Sequence, residues 1–110
     1  MKLIENRFLP FKGFVCLNFF GIILVRKGWR DAVSEEDVNH ERIHTAQMKE
    51  LGYVPFYALY LLEWVIRLPL KGNAYRQISF EREAYLYQSD LTYLKYRKHY
   101  AWLKYLKKER

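Results

Sequence analysis

The segment Asn39-His40-Glu41-Arg42-Ile43-His44 sets two imidazoles four residues apart, with a carboxylate directly after the first. On an α-helix, residues i and i+4 share a face one turn apart, so His40 and His44 can both reach one metal ion at about 2.0–2.1 Å. Glu41 is turned about 100° from His40. That keeps its carboxylate beside the ion without binding it, where it can take a proton from a metal-activated water. Five residues thus supply two ligands and a catalytic base. The plainer reading is an exposed helix that happens to carry two histidines.

A catalytic ion of this kind takes three protein ligands and keeps one position open. Cys16 is the only cysteine, which excludes a multi-cysteine site, and it falls in an expected strand. His99 lies in the basic C-terminal region. A carboxylate in Ser79-Phe80-Glu81-Arg82-Glu83-Ala84-Tyr85 is the better third ligand. Glu81 and Glu83 are two apart and point about 200° away from each other on a helix, so only one can face the ion. Glu81 shares its face with Gln77, Ala84 and Tyr85, and the small Ala84 would let its helix approach the first one closely. Glu81 is therefore the expected ligand and Glu83 the alternative; either could instead be a surface glutamate paired with Arg82 or Arg76. Glu63 and Gln47 are candidates for the groups behind the ligands. The plainer readings are a Glu63–Arg67 pair at i,i+4 and a solvent-facing Gln47.

The elements that must position these residues can be placed. Ser34 reads as an N-cap, and Glu35, Glu36 and Asp37 put negative charge in the first turn, where the helix dipole favours it. This helix should run to about Leu51 and stop at Gly52. A second should begin near Pro55 and end before Pro69. Lys71-Gly72-Asn73 reads as a turn, with Asn73 capping a third helix that continues to about Gln88. Ser89 or Asp90 would cap a fourth, basic helix, whose Tyr93, Tyr96, Tyr100, Leu103 and Leu106 form one apolar stripe. Upstream, residues 14–19 and 21–26 are rich in β-branched and aromatic types and are punctuated by Gly13, Gly21 and Gly28, which predicts a hairpin.

At these residues the chain resembles a family. H-E-x-x-H followed by Phe80-Glu81-Arg82-Glu83-Ala84 is similar to the zincin metallopeptidases of the glutamate-ligand type, the gluzincins, and especially to their small bacterial forms. The resemblance covers residues 37–85. It implies zinc as cofactor, His40, His44 and Glu81 as ligands, Glu41 as base, and a peptide or protein substrate aligned on an edge strand from the N-terminal hairpin. Where that pattern has an aspartate after the alanine, this chain has Tyr85. Tyr85 itself, Glu63 or Asp90 would have to orient the site in its place. Tyr75, Tyr85, Arg76 and His99 are the candidate oxyanion stabilisers.

Composition bounds the partners. The 110 residues suit one domain, residues 1–110, and 51% hydrophobic with 18% aromatic content excludes a disordered chain. The formal charge is +7, and residues 90–110 hold seven Lys or Arg against two acids. That basic region could meet an anionic membrane surface or simply be a solvated helix face; no nucleic-acid module is recognisable, so nucleic acid is not an expected partner. Residues 53–70 are apolar but contain Glu63 and Arg67, which reads as a buried or membrane-surface helix and not a spanning one. No signal-peptide cleavage pattern follows the apolar run at 13–25, and the single cysteine fits a reducing compartment, so the expected location is cytoplasmic, with or without a membrane nearby.

The expectation is an α+β, mostly helical domain: a minimal zincin-like core of about four helices with a short N-terminal β-hairpin. The expected activity is zinc-dependent peptide hydrolysis. The alternatives are a zincin-like zinc-binding or sensor module without catalysis, and a peripheral membrane or nucleic-acid protein acting through its basic end.

Overall fold

A computed structural model describes residues 3–6, 16–28, 30–69 and 73–106. It is mostly helical with one small sheet, the expected class. Strands β1 (Leu3–Asn6), β2 (Cys16–Phe19) and β3 (Ile22–Arg26) form a sheet of order β1-β3-β2. The expected hairpin is β2–β3, paired antiparallel from Cys16↔Val25 to Phe19↔Ile22. The remainder of its predicted first strand, residues 14 and 15, lies outside the described residues. β1 was not expected; it pairs in parallel with β3, and only a long-range partner reveals it. Ile23 and Val25 alternate onto the buried face of β3.

The hairpin turn is Phe20-Gly21, both with positive φ (51° and 91°), the two-residue geometry that suits strand twist. For a bulky residue this is strained. Phe20 is held there by its N–H, which donates to Tyr57 Oη at 3.0 Å, and by its ring against Tyr53 and Tyr57.

Helix α1 (Glu35–Leu51) has the expected ends. Ser34 and Asp37 form a capping box, each side chain accepting from the other's backbone N–H, and Gly52 ends the helix at φ 83°. Helix α2 (Tyr53–Arg67) follows after that single residue. Asn73 caps a third helix as expected, accepting from Arg76 N, but α3 (Ala74–Gln77) stops at Ile78 and α4 (Ser79–Tyr87) restarts in a new direction. The break has a cause: Glu63 on α2 takes the first N–H of α4, Ser79 N, at 2.7 Å and Ser79 Oγ at 2.8 Å.

The expected fourth helix does not form. It reduces to α5 (Tyr93–Tyr96) and a 3-10 turn (Ala101–Tyr105). Glu50 on α1 draws in both the Arg97 guanidinium and Tyr100 N–H, and Tyr100 takes a positive φ of 58°. The predicted apolar stripe is accordingly absent: Tyr93 is buried, whereas Tyr96, Tyr100, Leu103 and Leu106 are exposed. The bend carries Trp102 onto Phe80, in a core with Met48, Phe56 and Ile78. A second cluster joins Ile43, Ala84 and Tyr93, so Ala84 does lie where α4 approaches α1. Among the described residues no helix is long and apolar enough to cross a membrane.

Candidate metal centre

His40 and His44 project from α1 toward Glu81, which sits in the first turn of α4. His40 Nε2 is 2.9 Å and His44 Nε2 3.0 Å from the same oxygen, Glu81 Oε1, and the two Nε2 atoms are 3.2 Å apart. Four ligands arranged tetrahedrally at 2.0–2.1 Å from an ion would stand roughly 3.3 Å from one another. The triangle is close to that size, and all three side chains are nearly fully buried. Among the described residues these three are the group able to share one ion.

The far sides of both rings are fixed. His44 Nδ1–H donates to Gln47 Oε1 at 2.8 Å, and His40 Nδ1–H donates to Gln88 Oε1 at 2.9 Å. Gln47 cannot be flipped, because its Nε2 donates to Phe80 O and to Glu83 Oε1, both at 3.0 Å. In the neutral tautomer this sets, the Nε2 lone pairs face each other and the Glu81 carboxylate. Three electron-rich atoms crowded on one point need a cation between them, either protons or a metal ion.

The electrostatics fit the same conclusion. Burial by itself would lower the His44 pKa, but the neighbouring Glu81 carboxylate overrides it and raises the value to about 9. Burial would raise Glu81, yet the two histidines hold it well below the usual carboxylate range. Tyr60 Oη donates to Glu81 Oε2 at 2.5 Å, and Tyr75 is within hydrogen-bonding reach of Glu81 and Tyr85. Burial first, then the charge of Glu81, pushes both phenols far above their ordinary range, so they stay protonated donors.

Glu41 is half-buried beside the cluster. Burial raises its pKa, the two histidines oppose the rise, and Glu81 adds to it. Its backbone carbonyl accepts from Asn18 Nδ2 at 2.8 Å, which ties β2 to α1 at this level. Among the described residues no donor engages its carboxylate, in contrast to the tethered His40, His44 and Glu81 side chains.

Several expectations need correction. Gln47 is completely buried, not solvent-facing. Neither Glu81 nor Glu83 is a surface residue; Glu83 is buried among Gln47, Tyr93 and Arg97. Glu63 does not touch a histidine; besides Ser79 it pairs with Arg67, so it positions the helix that carries Glu81. Asp90 binds Thr92 and Tyr96 instead. The His99 side chain is 91% exposed and faces Glu50, not the His40–His44–Glu81 cluster. Tyr85 does reach the site, its ring edge-on to His40 at 4.5 Å between centroids, with the Arg76 guanidinium 4.1 Å from the centre of the same ring. It also lines a cavity of about 550 Å³ with Arg76, Arg82 and Asn73.

Sequence reasoning missed Gln88, Tyr60 and Asn39. Asn39 Nδ2 reaches the carbonyls of Tyr87, Gln88 and Asp90 at 2.9–3.1 Å, closing the end of α4 and keeping Gln88 opposite His40. Its place one residue before His40, on the capped helix, was the available signal. No family model, curated protein or solved structure matches the chain.

Proposed function

We propose that this chain is a zinc-dependent peptidase of the zincin type, with His40, His44 and Glu81 as ligands and Glu41 as the base. The observation that carries this reading is the convergence of His40 Nε2, His44 Nε2 and Glu81 Oε1 within 3.2 Å, with an untethered Glu41 carboxylate alongside. His40, His44 and Glu81 would hold a divalent ion that relieves their lone-pair crowding, and zinc held there would supply Lewis-acid polarisation of a peptide carbonyl and lower the pKa of a water.

The protein supplies the rest. Glu41 takes the proton from the attacking water and returns it to the leaving amine nitrogen. Its raised pKa makes it a stronger base than an exposed glutamate. Gln47 and Gln88 hold the imidazoles in the ligating tautomer. Tyr85, edge-on to His40, places its phenolic hydroxyl beside the site for the oxyanion that forms on the substrate.

One observation favours a second reading, a zinc-binding module without catalysis: the ligands are only 3–7% exposed, as in closed structural sites. Glu41→Gln separates the two. With an internally quenched peptide library and zinc-loaded protein, a peptidase loses about a hundredfold or more in rate while keeping its metal. No hydrolysis by either form, with zinc bound in both, assigns the chain to the second reading.

A further inference from the structure

Helix α2 is built inside out. Its polar side chains, Tyr53, Tyr57, Tyr60, Glu63 and Arg67, recur at three- and four-residue spacing and turn toward the protein. Tyr57 bonds the β2–β3 turn, Tyr60 bonds Glu81, and Glu63 and Arg67 bond Ser79 and Leu106. On the other side, every exposed residue from Val54 to Pro69 is apolar. Val54, Leu61, Leu62, Val65, Ile66 and Leu68 are each at least half exposed. Single exposed leucines are ordinary; an unbroken face along a helix about 22 Å long is not.

The face continues past both ends of the helix. Phe19 and Phe20 are exposed at the hairpin turn, with the Phe20 ring against Tyr53 and Tyr57. At the other end Arg67 Nη2 donates to Leu106 O at 3.0 Å, which brings in the exposed Leu103, Lys104 and Leu106. The sequence then reads Lys107-Lys108, within a chain of net charge +7.

The chemistry of the face selects its occupant. Protein interfaces carry about one hydrogen bond per 100–200 Å². Here the exposed side chains of α2 offer one donor, the Trp64 indole N–H, and no acceptor. Acyl chains need neither, and tryptophan suits the boundary between hydrocarbon and water. Cations at one end of the face complement anionic headgroups.

We infer that the outer face of α2 docks on an anionic lipid surface, lying in its plane with Leu62, Val65 and Ile66 at the acyl boundary and Lys104 among the headgroups. The peptidase reading is not needed for this, since no ligand of the metal lies on that face.

The test is co-sedimentation with vesicles of phosphatidylcholine, with and without phosphatidylglycerol. The wild-type chain binds the anionic vesicles more tightly. Leu62→Glu with Ile66→Glu lowers partition by about tenfold or more, without changing the thermal midpoint, because both positions are exposed. Salt weakens the attraction only in part, since the apolar contribution is unscreened. The Trp emission shifts to the blue on binding, and Trp64→Phe reduces that shift. Equal sedimentation of wild type and the double variant overturns the proposal. So does a wild-type dimer in ultracentrifugation that ignores vesicles and dissociates in the double variant, which assigns the face to a second copy of the chain.

Discussion

Gln47 Oε1 accepts the Nδ1–H of His44 at 2.8 Å, and the amide cannot turn over because Phe80 O and Glu83 Oε1 hold its nitrogen. One side chain therefore decides which His44 nitrogen faces Glu81. Gln47→Leu keeps the volume and removes the lock. Zinc affinity should fall about 10- to 100-fold, read by competition with a chromogenic chelator. Unchanged affinity would show that the tautomer is set elsewhere.

Zinc held by the proposed site would compete with a proton for His44 Nε2. In the metal-free chain His44 has a pKa of about 9, because the attraction of Glu81 outweighs the opposing effect of burial. Zinc needs the neutral ring, so binding displaces a proton at any pH below that value. Apparent affinity should rise about tenfold per unit between pH 6 and 8 and flatten as pH approaches 9. Calorimetry in buffers of different ionisation enthalpy should show protons released at pH 7. No release would mean the apo ring is already neutral.

Glu63 connects stability to the site although it touches no ligand. Its carboxylate caps α4 through Ser79 and neutralises the buried Arg67. Glu63→Ala should destabilise by about 3 kcal/mol, because it strands a buried guanidinium and frees a helix start. Urea unfolding measures this, and zinc affinity should drop with it, since Glu81 sits two residues after Ser79. A loss below about 1 kcal/mol would place the hold on α4 elsewhere.

Arg97 lies between two buried acids, donating to Glu83 Oε2 at 2.5 Å and to both Glu50 oxygens at 3.0–3.1 Å. Arg97→Met leaves two carboxylates uncompensated. The expected cost is about 3–5 kcal/mol, seen as a lower urea midpoint with an unchanged slope. Replacing Glu50 as well, by Gln, should recover part of it. No recovery would show that the guanidinium contributes through packing alone.

The residues that announce their role locally were legible. Ser34, Gly52 and Asn73 cap helices whatever the rest of the chain does, Gly21 marks the hairpin, and the spacing of His40 and His44 allows one ligating geometry. What could not be read depends on partners far away in sequence. Apolar spacing alone predicted continuous helices through Ile78 and through residues 97–100. Glu63 and Glu50, reaching in from other helices, offered the backbone better bonds and broke both. Gln47, Gln88 and Tyr60 follow no periodic pattern, and an amide or phenol gains meaning only once a buried histidine or carboxylate stands opposite it. The outer face of α2 was ambiguous for the same reason: its apolar run did not say which side chains turn inward, and only the inward Tyr53, Tyr57, Tyr60, Glu63 and Arg67 leave its apolar side exposed.

The metal content of the purified protein, measured beside His44→Ala, tests the central claim most directly. About one zinc per chain in the wild type, with less than about a tenth of that in the variant, is the predicted result. Equal zinc in both proteins, or none in the wild type after incubation with excess metal, would contradict it.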